Sequence, residues 1–206
     1  MTRTALLLAL ASAALAAPSL AQTSPAPPAA EAPKEDLVPV AIETSLGRIV
    51  IALDRGRAPV TSANFLRYVD AGRLNGESFY RAMKIGDAGG LVQGGIRSDS
   101  RKLFPAIAHE PTSKTGLKHV AGAVSLANAG PGTGRADFFI LTTDIPSFDA
   151  TASDPGFAVF GRVVEGLDVV KAIQAAPVSA TKGDGAMKGQ MLEPAVKIVK
   201  AVRVRD

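Results

Sequence analysis

The chain has 206 residues, with 23 basic and 19 acidic side chains, two histidines and no cysteine. Without cysteine there is no disulfide framework, no thiol nucleophile and no zinc site built on thiolates. The formal charge of +4 is scattered rather than clustered, with no bases interleaved with aromatics, which argues against a nucleic-acid surface.

Residues 1–21, MTRTALLLALASAALAAPSLA, read as a secretory signal. Arg3 gives the positive start, Ala5 to Ala17 the apolar stretch, and Ser19 and Ala21, flanking Leu20, the small residues at the two positions a signal peptidase reads, with cleavage before Gln22. The apolar stretch is shorter than the ~20 residues of a membrane span, and no later segment is long or apolar enough. The expectation is an exported, soluble protein without stable membrane insertion, periplasmic in a bacterial cell. Residues 22–37, QTSPAPPAAEAPKEDL, are rich in Pro and Ala and read as a tether. Residues 38–206 are the size of one domain.

Strand signals then follow closely. VPVAIET and RIVIALD flank Ser45-Leu46-Gly47, a short hairpin connection. SFYRA, LVQGG, GAVSLAN, FFILTT, FAVFGRVV and VKIVKAVRV are further runs, giving eight. PVTSANFLRYVDAG has helical spacing of Phe65 and Val69, with Pro59 near its start and Gly72 past its end. EGLDVVKAIQ spaces Leu167, Val170 and Ile173 as a second helix. Eight strands and two helices joined by glycine turns predict a mainly β fold, a closed antiparallel barrel capped by two helices. The basic residues Lys197, Lys200, Arg203 and Arg205 at the C-terminus read as a solvated strand face.

Several pieces resemble chemistry and lack a required part. GPGTGR at 130–135 has glycines but neither the lysine of a P-loop nor a following helix. His109 and His119 lack the spacing of a zinc helix and read as ordinary surface or loop residues. Ser125 has no nucleophile-elbow glycines. No metal or cofactor is implied. More pointed is Arg81, a permanent charge within SFYRAMKIGDAGGLVQGG. Such a residue sits in solvent or is held in an apolar cleft for a purpose, because it cannot neutralise itself.

Taken in order, FYR at 79–81, VQGG at 92–95, LANAGPGTG at 126–134, DFFI at 137–140 and FAVFGRVVEGLDVV at 157–170 resemble the cyclophilin family of peptidyl-prolyl cis–trans isomerases. The resemblance spans the domain. It implies a groove on the outside of the barrel, with Arg81 as catalytic residue at the proline nitrogen and Gln93 binding the peptide and orienting Arg81. Phe79, Leu91, Ala127, Asn128, Asp137, Phe139 and Phe148 are the implied substrate-binding residues, Asn128 through its backbone. The implied partner is a proline-containing polypeptide segment, bound by a monomer.

The chain departs from the family pattern in places. Gly90 replaces a pocket phenylalanine and Asp137 a glutamine. A position often held by tryptophan falls near Ser147, and one often held by histidine falls at Phe157. The Arg81–Gln93 interval is about four residues longer than usual. These changes motivate a rival reading, a proline-peptide-binding chaperone or scaffold module with weak or no catalysis.

Overall fold

The computed structural model describes residues 34–87 and 89–204. The signal segment and nearly all of the tether lie outside the described residues. Nine strands form one sheet: β1 (Leu37–Thr44), β2 (Gly47–Asp54), β3 (Ser78–Lys84), β4 (Gly90–Gly95), β5 (Ala123–Leu126), β6 (Phe138–Leu141), β7 (Ala158–Glu165), β8 (Val178–Ser179) and β9 (Met191–Arg203). Their order is β1-β2-β7-β5-β6-β4-β3-β9-β8, and β1 also pairs with β9. Eight strands therefore close a ring, every pairing is antiparallel, and the two-residue β8 is an appendage on β9. The ring strands are the eight runs read from sequence.

Period-two alternation directs this architecture. Val40 and Ile42, Ile49, Ile51 and Leu53, Val124 and Leu126, Phe138 and Ile140, and Val196 and Ile198 all point inward. Burial of each large apolar side chain contributes about 1.5–3 kcal/mol. Phe65 from α1 (Pro59–Asp70) completes the interior, with its ring 5.2 Å from Phe138 and 5.3 Å from Phe160. Pro59 opens α1, where a missing N–H is harmless. The next two amides, of Val60 and Thr61, donate to the buried Glu110 carboxylate at 3.1 and 2.7 Å. The last helix, α3 (Leu167–Ala175), packs Val170 and Ile173 into the core. Between these two lies α2 (Thr112–Thr115), a single turn that its short polar sequence did not announce.

Gly47 closes the first hairpin at φ 136°, and a Cβ there would sit 2.8 Å from Val169 of α3. Both the turn and the helix contact require glycine.

The last residues before β1 touch the barrel. Glu35 pairs with Arg57 and Arg162, and Asp36 with Arg55. These are exposed pairs, together worth about 1 kcal/mol or less. A chain beginning at Leu37 keeps all of β1. It should unfold cooperatively, with a melting temperature lowered by no more than ~2–4 °C in low salt and less in high salt. Thermal scans at two salt concentrations check this; a non-cooperative transition would contradict it.

Candidate active site

Arg81 reaches the outside of the barrel because β3 is bulged. Its pairing with β4 runs Phe79–Gly94 and then Arg81–Gln93, two residues on β3 against one on β4. Strict alternation would send Arg81 to the same face as Phe79, which lies wholly inside the barrel. The extra residue, Tyr80, turns Arg81 outward and lets Ala82 return to the core. Arg81 then stands in a row of cross-strand neighbours: Gln93 on β4, Phe139 on β6 and Ser125 on β5.

Arg81, Gln93 and Phe139 of this row form the floor of a cleft of about 510 Å³, with Ser125 buried behind it. Arg81, Leu91, Gln93, Ala127, Asn128, Asp137, Phe139 and Phe148 all line it. Phe79 does not. It was expected among the substrate-binding residues, but it is fully buried with its ring 5.6 Å from Phe138 inside the barrel. Its place in the FYR motif reflects support of the strand from within.

Beneath the cleft lies a second apolar cluster, outside the barrel, built on Leu91, Phe139, Leu141, Ile145 and Val159. Phe139, Phe148 and Phe157 form a three-sided aromatic pocket, with ring centroids 5.8, 5.3 and 5.1 Å apart. Phe157, which sequence showed only as a departure, is thus part of the wall. Gly90 leaves no gap in that wall, because its missing side chain would point elsewhere. A Cβ on Gly90 would sit 2.0 Å from the Met83 carbonyl oxygen and 2.7 Å from Gln174 of α3, at a φ of 154°. No aromatic residue could stand there in this backbone.

A directed hydrogen-bond chain holds Arg81. Its Nη1 donates to Gln93 Oε1 at 2.8 Å, Gln93 Nε2 donates to Tyr80 Oη at 2.7 Å, and Tyr80 donates to Asp137 Oδ2 at 3.0 Å. Guanidinium accepts nothing, so Gln93 must present its oxygen to Arg81 and its amide hydrogens to Tyr80. Burial lowers the pKa of Arg81 from its ordinary value, yet an arginine remains charged at neutral pH. Burial, then the neighbouring Asp137 charge, raises that of Tyr80, which stays a phenol.

Asp137 is the anomalous member. Burial raises its pKa, against the opposing effects of the Tyr80 hydrogen bond and Arg97, and Glu77 adds to the rise. Its Oδ1 is buried without a hydrogen-bond partner. A carboxylate whose folded pKa exceeds 3.8 binds more protons folded than unfolded, so its contribution to stability falls as pH rises through that window. Asp137→Asn lacks this titration. Its stability relative to the parent should therefore improve from about pH 4 upward and then level off. Denaturant titrations at several pH values read this difference directly; a parallel pH dependence of the two proteins would contradict it.

The expectation that both histidines are surface or loop residues holds for His109, whose Nε2 meets the Pro155 carbonyl at 3.0 Å in a loop. His119 corrects it. That ring is buried, with Nδ1 2.8 Å from Asp149 Oδ1 and Nε2 3.0 Å from Ser125 Oγ. Both nitrogens are satisfied, so burial leaves no orphan polar atom. Burial lowers the His119 pKa, partly offset by Asp149, and the neutral ring donates to the carboxylate and accepts from serine. The groups follow the order of a nucleophile triad, but Ser125 is fully buried. The set instead backs the pocket, with the imidazole stacked 6.1 Å from Phe139 at 18°.

At the cleft rim, the Asn128 main-chain N–H and C=O have no partner among the described residues, while its side chain accepts from the Gly130 amide at 3.0 Å. Two further residues come from a distant segment that sequence did not connect with the site. Met187 lines the cleft, and Gln190 Oε1 accepts from Arg81 Nε at 2.8 Å. The loop between β8 and β9 delivers both.

The sequence profile of the family "Cyclophilin type peptidyl-prolyl cis-trans isomerase/CLD" matches residues 39–203. The chain belongs to the cyclophilin family. It is 36% identical over 138 residues to peptidyl-prolyl cis-trans isomerase A of Dickeya dadantii, covering 65% of this chain and 70% of that protein. It is also 36% identical over 149 residues to peptidyl-prolyl cis-trans isomerase cyp18 of Streptomyces antibioticus, covering 70% of this chain and 87% of the relative. A cyclophilin type isomerase from Cryptosporidium parvum, known from its crystal structure, superposes with a TM-score of 0.66 at 20% identity, covering 83% of this chain and 99% of that one. At that identity the likeness concerns the cyclophilin fold alone.

Proposed function

We propose that this cyclophilin exercises the peptidyl-prolyl cis–trans isomerase activity of its family on Xaa–Pro bonds of unfolded or partly folded exported polypeptides, with Arg81 acting on the proline nitrogen. The carrying observation is a part-buried guanidinium beside an aromatic pocket on the outside of the barrel.

The chemistry asks for little more. Rotation about an Xaa–Pro bond faces a barrier of about 18–20 kcal/mol from amide resonance, and unaided exchange takes tens to hundreds of seconds. No bond breaks. In the twisted amide the nitrogen regains its lone pair, and an N–H aimed at it stabilises the twisted state more than the planar one. Phe139, Phe148 and Phe157 would hold the proline ring. The free Asn128 backbone groups and Gln93 would hold the peptide while one side turns. A related Cryptosporidium parvum cyclophilin has been crystallised in the presence of the dipeptide Ala-Pro, which supports a proline ligand for this groove.

The N-terminal signal pattern supports export to the periplasm, with residues 22–37 as a spacer; that the domain acts there as a monomer is part of the same proposal. N-terminal sequencing of the exported protein should begin at Gln22. The functional reading is tested by refolding a substrate protein limited by a slow proline phase. Catalytic amounts of the mature chain should speed that phase and leave the fast phases unchanged. Protection from aggregation without a faster slow phase would favour the rival, a binding module.

A further inference from the structure

Arg81 is gripped on two sides. Gln93 takes Nη1 from β4, and Gln190 takes Nε from the opposite neighbour, the segment entering β9. An irregularity in β9 makes the second grip possible, because its pairing with β3 jumps from Phe79–Val196 to Arg81–Met191, two residues on β3 against five on β9. Gln190 then lies beside the site, and its carbonyl accepts from the Ala82 amide at 2.9 Å. The Gln190 side chain is itself fixed at its other end. Its Nε2 donates to the Ala186 carbonyl at 2.8 Å, in the turn that carries Met187 to the cleft.

We propose that Gln190 is a positioning residue for the isomerase reaction: its oxygen locks the Arg81 guanidinium so that the remaining N–H groups face the proline nitrogen. This rests on the assignment of Arg81 above. An arginine has five N–H donors. Here Nε serves Gln190, one Nη1–H serves Gln93 and Nη2 meets Met83 Sδ at 3.6 Å. One hydrogen on each Nη remains for substrate. With Nε released, the long side chain regains rotation about its terminal bonds, and a group misplaced by about 1 Å can cost up to ~10²-fold in rate.

Two variants separate the acceptor from the bulk. Both variants lose the Nε2 donation to the Ala186 carbonyl, so they differ from each other in the acceptor: Gln190→Met keeps the length and removes it, while Gln190→Glu keeps an oxygen to face Arg81. Gln190→Met should lower kcat about tenfold with KM for a short Xaa–Pro peptide little changed, because the aromatic pocket is untouched. Gln190→Glu should restore most of that loss. The Arg81 Nε–H resonance, followed by NMR, should exchange slowly with water in the parent and in Gln190→Glu and rapidly in Gln190→Met. A parent without isomerase activity would refute the functional reading, while the Nε–H exchange would still test the grip. An active parent with unchanged kcat in Gln190→Met, equal losses in both variants, or an unprotected Arg81 Nε–H in the parent would overturn the proposal.

Discussion

Arg81→Ala should lower kcat/KM by about 10²–10³-fold while the protein stays folded. The magnitude is that of removing one preorganised donor from a transition state, about 2.7–4 kcal/mol. The loss should fall mainly on kcat, because the guanidinium favours the twisted amide over the planar one. Stability should change little. Arg81 lies on the outer face, and its deletion frees two glutamine oxygens that are near enough to solvent to be rehydrated. Arg81→Lys should recover only a small part of the activity. Lysine keeps the charge but has no planar fork to satisfy Gln93 and Gln190 while offering further N–H groups to the substrate. Steady-state kinetics with circular dichroism checks both variants. A folded Arg81→Ala protein of undiminished activity would remove Arg81 from the mechanism.

Cyclosporin, a cyclic peptide that better-known cyclophilins bind in this groove, should bind here at least ~10²-fold more weakly, equivalent to about 3 kcal/mol. That binding leans on a tryptophan beside the proline pocket, and this chain has none. Its place falls near Ser147, exposed on the short turn Pro146–Phe148. Serine is too small to copy the broad indole face or to donate from the indole position. Phe148 turns into the cleft from the same segment, but it offers no donor. A short peptide depends less on this contact, since Phe139, Phe157 and Arg81 remain. Titration of the drug into a peptide assay decides the matter; complete inhibition at nanomolar concentration would mean that other residues rebuild the lost contact.

The barrel was legible because each ring strand carries its own signal, alternating apolar residues bounded by glycine turns, and α1 and α3 announce themselves through Pro59, Gly72 and the spacing of Val170 and Ile173. The cleft residues were reached through family resemblance rather than periodicity. Where reading by motif failed, the cause was strand geometry. Phe79 and Arg81 share a three-residue motif, yet a bulge at Tyr80 sends one inside and the other out, and no residue type marks that bulge. Gly90 looked like a missing wall because the family pattern places a pocket phenylalanine there, but in this chain a side chain at that position would point at the Met83 carbonyl and Gln174. The burial of the loop residue His119 was not legible because Asp149, which makes it possible, lies 30 residues away. Gln190 reaches Arg81 across 109 residues, and only the closed ring brings β9 against β3.

The most direct measurement is the cis–trans exchange rate of a short Ala-Pro peptide in the presence of a catalytic amount of the protein, read by NMR exchange spectroscopy with Arg81→Ala as the paired control. The account predicts exchange many times faster than the tens to hundreds of seconds of the free peptide, a rate that collapses in the control, and peptide-induced shifts at Phe139 in both. Binding at Phe139 with exchange no faster than in the free peptide would contradict it.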